Sequence, residues 1–74
     1  MNKEKFLFDF LSEYEEGFQT GYSLESEFRS IDGWDSMTAM MIISMIDEKY
    51  NVIIDPDQLK ETKKIIDIYN LVIN

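Results

Sequence analysis

The sequence predicts an all-α chain of four helices, and three observations carry that prediction. Apolar residues recur at helical spacing in three separate stretches, an Asp-Pro pair marks the start of a further short helix, and the one β-like run, Val52-Ile53-Ile54, has no partner strand nearby.

The first helix is predicted from Met1 to about Glu16. Leu7, Phe10, Leu11 and Tyr14 form its apolar face and Phe6 and Phe8 widen it, while Glu4, Asp9, Glu13, Glu15 and Glu16 read as a solvated face. Gly17 is the expected stop. An aromatic stripe of this kind reads as core rather than as a cofactor box.

From Phe18 to Trp34 the composition shifts to Gly, Ser, Thr and charged residues, with apolar anchors at Phe18, Tyr22, Leu24, Phe28, Ile31 and Trp34. A loop this long in a small domain is expected to be pinned by its own side chains. Glu25 to Ile31 has room for one helical turn, and Trp34 reads as a packing lid.

Asp35 is a good N-cap for a second helix that runs without Gly or Pro to Tyr50. Its apolar face is Ala39, Ile42, Ile43, Ile46 and Tyr50. At about 100° per residue the opposite face holds Met37, Met41, Ser44 and Glu48, with Ser36, Met40 and Asp47 on one flank. Ser36 falls in the first turn, pointing outward, where backbone N–H groups and the helix dipole favour an anion. Met45 reads as core packing, and the exposed methionines as a surface suited to several partners in turn.

Asn51 can take the left-handed conformation that closes a helix, and Val52 to Ile54 reads as an extended link. Asp55-Pro56-Asp57-Gln58 then opens the short third helix, with Asp55 as cap, Pro56 at the first helical position and Gln58 at the reciprocal capping position. Thr62 is the expected cap of a fourth helix whose face is Ile65, Ile68, Tyr69 and Val72. Lys63 and Lys64 stand at its start, where the dipole disfavours cations.

With 74 residues the chain is read as a single domain, residues 1–74, too small for a deep enzyme site. The chain contains neither Cys nor His, which removes thiolate metal sites and the commonest general base, so catalysis by the polypeptide alone is not expected. A net charge of −8 argues against nucleic acid and against anionic membranes and favours basic protein partners. Without a leader or an apolar run of membrane-spanning length, the protein is expected to be cytoplasmic and not inserted in membranes.

The stretch Gly33 to Met37, together with Phe28 and Ile31, Ile46-Asp47-Glu48 with Tyr50, and Ile65 to Leu71, resembles the acyl carrier protein family over nearly the whole chain. The resemblance implies a small acidic four-helix bundle with a long loop between helices 1 and 2. It also implies that Ser36, within Asp35-Ser36-Met37, carries a covalent 4'-phosphopantetheine transferred from coenzyme A, whose thiol holds acyl groups as thioesters. The implied partners are a phosphopantetheinyl transferase and acyl- or aminoacyl-loading and condensing enzymes with basic docking surfaces. Their contact surface is expected at Met37, Met40, Met41, Ser44, Asp47 and Glu48, and the carrier itself is expected to be a monomer without catalytic residues. The resemblance implies service in fatty-acid, polyketide or other specialised acyl biosynthesis, but Thr38, Met41 and Lys49 occupy positions that are frequently acidic in the family, a departure that points away from the general fatty-acid enzymes and toward a dedicated set of partners. An aminoacyl or peptidyl carrier is the alternative within this class, and an unmodified acidic helical adaptor is the alternative outside it.

Overall fold

The Asn2 side chain opens the first helix, α1 (Lys3–Leu11), by accepting the backbone N–H groups of Glu4 at 2.8 Å and Lys5 at 3.1 Å. The computed structural model describes residues 2–14 and 21–73. α1 stops earlier than its apolar spacing predicts. The Ser12 hydroxyl bonds back to the Phe8 carbonyl, and the Glu13 and Tyr14 amides bond three residues back, so the chain tightens into turns after Leu11. The predicted end at Glu16 and Gly17, and the anchor at Phe18, lie outside the described residues.

The next described segment, residues 21–35, is turns around a single 3-10 turn at Phe28–Ser30, within the stretch expected to hold one. It is pinned as its composition suggests. Phe28 and Ile31 are buried, and the Tyr14 hydroxyl donates to the Phe28 carbonyl. Backbone bonds from Phe28 to Lys63 (3.1 Å), Ile65 to Ser26 (3.1 Å) and Ile66 to Leu24 (2.8 Å) stitch the loop to the start of the last helix.

α2 (Ser36–Tyr50) begins at its Asp35 cap and ends at Asn51, whose φ of 57° is left-handed. Ile53 in the following link points to solvent while Ile54 is buried. α3 (Pro56–Lys60) has the full reciprocal cap between Asp55 and Gln58. α4 (Ile65–Ile73) buries Ile65, Ile68, Tyr69 and Val72, the face its spacing predicts. Its start differs from expectation. The Thr62 hydroxyl donates backwards to the Leu59 carbonyl, and Asp67 accepts the amides of Lys63 and Lys64 instead.

α1 packs against α2 and α4. A run of aromatic rings, Tyr69, Phe6, Phe10, Phe28 and Trp34, crosses the core with successive centroids 5.3 to 6.1 Å apart. The four helices, with no strand among the described residues, form the small all-α bundle that the sequence predicts.

Two positions on α1 correct the pattern reading. Phe8, expected to widen the apolar stripe, is exposed, while Asp9, assigned to the solvated face, is only 3% exposed. The reason is local pairing. Lys5 (2.9 Å), Lys49 (3.4 Å) and the Tyr50 hydroxyl (2.7 Å) all donate to the Asp9 carboxylate, so the charge enters the α1–α2 seam fully partnered.

Candidate functional site

The turn before α2 is built by Gly33 and Asp35. The Trp34 amide bonds to the Ile31 carbonyl at 3.2 Å, and Gly33 takes a φ of 94°, which a residue with a side chain would adopt only under strain. Asp35 then caps α2. Its Oδ1 accepts from the Thr38 amide at 2.8 Å, and the buried Thr38 hydroxyl lies 2.9 Å from the same oxygen and 3.1 Å from the Gly33 carbonyl. Bonds from the Thr38 amide and hydroxyl hold the Asp35 carboxyl below the usual carboxylate range. This acid therefore stays ionised and holds the turn.

The consequence for Ser36 is a fixed, exposed primary alcohol at the first position of a fifteen-residue helix. Among the described residues its hydroxyl makes no hydrogen bond, as is also the case for the exposed Ser30 and Ser44, whereas the hydroxyls of Ser23, Ser26, Thr38 and Thr62 are engaged in turns or caps; Ser36 differs from Ser30 and Ser44 in standing at the N-terminus of α2.

Beside Ser36 a cleft of about 270 Å³ opens between α2 and α3. Trp34, Ala39, Ile43 and Leu59 give it apolar walls, and Arg29 and Lys60 bring positive charge to its lining. Trp34 is half-buried, its ring tilted against those of Phe28, with centroids 5.3 Å apart, and Tyr14, at 6.1 Å. It is thus both a packing lid and part of the cleft.

The other residues expected at the site share α2 but divide between its sides. Met37, Met40 and Met41 are exposed, Ser44, Asp47 and Glu48 lie exposed further along, and Met45 is buried, the core packing expected of it. Pattern reading missed Arg29, whose guanidinium donates to the carbonyls of Leu59 (2.7 Å) and Thr62 (2.6 Å) and lies over the Phe28 ring. It also missed Thr38 as a buried member of the cap. For Thr38 there was a signal, a hydroxyl three residues after an Asp cap; for Arg29 there was none, because its partners are thirty residues away.

The arrangement suits attachment of an anionic ester. An exposed alcohol stands at a helix N-terminus, with two cations and an apolar cleft adjacent, and the chain around it is held by a satisfied cap. Among the described residues no group of His, Cys, Asp and Glu is placed to hold a metal ion, and no helix is long and apolar enough to cross a membrane.

No curated protein and no solved structure matches the chain. The family model described as "Phosphopantetheine attachment site" matches residues 22–72, which span the loop, the cap, the cleft and the last three helices. Since that match covers more than half of the sequence, the chain belongs to the phosphopantetheine-binding carrier protein family, whose members carry a covalently attached 4'-phosphopantetheine.

Proposed function

We propose that the chain is a single acyl carrier domain, residues 1–74, and that Ser36 is the residue carrying the 4'-phosphopantetheine. One observation supports Ser36 most directly: it is the exposed alcohol, free of hydrogen bonds among the described residues, that stands at the N-terminus of α2 and borders the apolar cleft. In the loading step the Ser36 Oγ forms a phosphoester bond with the phosphopantetheinyl phosphorus of coenzyme A, the P–O bond of the pyrophosphate bridge breaks, the nucleotide leaves as its phosphate with that bond's electron pair, and the Ser36 proton passes to a base of the transferase or to water. The arm supplies a terminal thiol that holds cargo as a thioester, which a chain without Cys cannot do by itself.

The chain's own residues then have three tasks. Asp35 and Thr38 fix the direction in which Ser36 points. The dipole of α2, with Arg29 and Lys60 in the adjoining cleft, favours the phosphodiester charge. Trp34, Ala39, Ile43 and Leu59 offer an apolar surface to cargo, which favours an acyl over an aminoacyl group, because a charged amine gains nothing from an apolar wall. The partners under this reading are a phosphopantetheinyl transferase and the acyl-loading and condensing enzymes of fatty-acid, polyketide or related synthesis in the cytoplasm.

Intact mass after incubation with coenzyme A and a broad-specificity transferase tests the assignment. The wild-type chain should gain one phosphopantetheine and Ser36→Ala none; a gain that survives in Ser36→Ala assigns the arm elsewhere. Trp34, the single tryptophan, reports the cargo. Its fluorescence should change when a medium-chain acyl group is loaded and stay constant with a glycyl group, and the reverse pattern would favour the aminoacyl carrier.

A further inference from the structure

The Ser36 cleft stops where the core begins, and two of its lining residues stand on that boundary. Trp34 and Arg29 both lie against the ring of the fully buried Phe28, at 5.3 and 4.6 Å. Phe10, Phe6 and Tyr69 follow Phe28 inward, so the aromatic run of the core meets the cleft at these two side chains. Arg29 closes its part with a charge, and displacing it would break its bonds to the carbonyls of Leu59 and Thr62.

Trp34 closes the rest with bulk. Its ring packs on Phe28 and, at 6.1 Å, on Tyr14, and moving it would forfeit both contacts. Deeper in, Ile42, Ile46, Ile54, Ile65 and Ile68 are at most 2% exposed, and close-packed interiors keep few voids larger than a water molecule. A guest chain therefore reaches the core only where a wall is removed.

The volume outside that wall limits what the cleft holds. An apolar cavity of about 150 Å³ takes a six-carbon ring. In proportion, the cleft's 270 Å³ has a ceiling of about eleven carbon atoms, and fewer fit while its mouth is open to water.

We propose that Trp34 is a specificity-determining residue, which bars an acyl chain from the core and confines sheltered cargo to acyl groups of about eight carbons or fewer. The inference rests on Ser36 being the attachment residue and on the cleft receiving the cargo.

The test is a chain-length series read by stability. The wild-type chain is loaded by a broad-specificity transferase from butyryl-, octanoyl- and tetradecanoyl-coenzyme A, and each product is unfolded in urea. The midpoint should rise by about 1 M from butyryl to octanoyl, as methylenes leave water, and by less than about 0.3 M from octanoyl to tetradecanoyl. In Trp34→Ala the second step should itself reach about 1 M, because the way to Phe28 is open. Trp34→Phe, which keeps a ring at the wall, should retain the wild-type plateau. Far-UV circular dichroism checks the unloaded variants; should Trp34→Ala not fold, Trp34→Leu takes its place, with a smaller step in the same direction. A wild-type midpoint that climbs by about 1 M up to tetradecanoyl would overturn the proposal, as would a plateau at octanoyl in the folded Ala or Leu variant. A wild-type midpoint indifferent to chain length would overturn it too, by removing the cleft as a cargo site. Failure of the carrier reading looks different: the wild-type chain would gain no mass from any of the three donors, before any midpoint is compared.

Discussion

The two halves of α2 meet opposite surroundings. From Ile42 onward the helix is bound into the molecule: Ile42, Met45 and Ile46 are buried, Tyr50 packs on Phe6 at 5.5 Å, and Lys49 and Tyr50 reach Asp9 on α1. From Ser36 to Met41 the helix is held by its cap and by the buried Thr38, with three methionines facing outward. Side chains of similar hydropathy thus serve stability at one end and remain accessible at the other. With Ser36 as the proposed attachment residue, a carrier needs this division, because the modifying enzyme then has to reach the first turn while the bundle stays folded. The cap makes it possible by fixing the first turn without burying it.

The sharpest way to break that comparison is to truncate one apolar residue from each half. Ile46→Ala, at a fully buried position, should cost about 3 kcal/mol. That is a large share of the roughly 4 to 11 kcal/mol that a chain of this size holds in total. Met37→Ala should stay within about 0.5 kcal/mol of wild type. Urea denaturation of both variants decides it, and comparable losses would mean that the methionine end is packed as firmly as the other.

The Asp9 network comes next. Asp9→Ala removes a carboxylate that accepts from Lys5, Lys49 and Tyr50, and should cost about 2 kcal/mol, seen as a fall in Tm of roughly 10 °C. Burial alone would push the Asp9 carboxyl up, but bonds from Tyr50, Lys5 and Lys49 outweigh it and leave the group below its usual value. A carboxyl with a depressed folded-state pKa stabilises the fold above its unfolded value of about 3.9 and loses that contribution as pH falls through the folded value. Urea midpoints of wild type and Asp9→Asn should therefore converge as pH drops below about 4 and stand apart near pH 7. Parallel curves would show that the seam is held by packing alone.

How much of this was legible in the sequence follows the range of each interaction. The caps at Asp35 and Asp55-Gln58, the left-handed Asn51 and the outward phase of Met37 and Met41 all depend on neighbours within about one helical turn, and all stand in the structure as read. Ser36 belongs with them, since its exposure follows from its place in the first turn. Asp9 was misassigned because two of its three partners, Lys49 and Tyr50, come from forty residues away. The Ser36 cleft was only half legible. Its α2 wall follows from helical phase, but the wall from α3 depends on how Arg29 ties that short helix to the loop.

Arg29 makes the smallest of these effects and the most local. α3 has five residues and one buried side chain, Leu59, too little to persist as an isolated helix. Its end is closed locally by the Glu61 and Thr62 amides and the Thr62 hydroxyl, and it is tied from outside by the two guanidinium bonds to the carbonyls of Leu59 and Thr62. Because the guanidinium is exposed, Arg29→Gln should cost only about 1 kcal/mol globally. Its consequence should concentrate in α3, where amide hydrogen exchange from Leu59 to Thr62 should accelerate roughly tenfold while α1 and α2 keep their protection. Arg29→Lys should not restore it, since a single ammonium cannot reproduce a planar fork that serves two carbonyls. Faster exchange confined to α3 would identify Arg29 as the tie that holds the outer wall of the Ser36 cleft. Unchanged exchange there would leave Leu59 as the anchor of that wall, and the two sides of the cleft would then both be set by apolar packing.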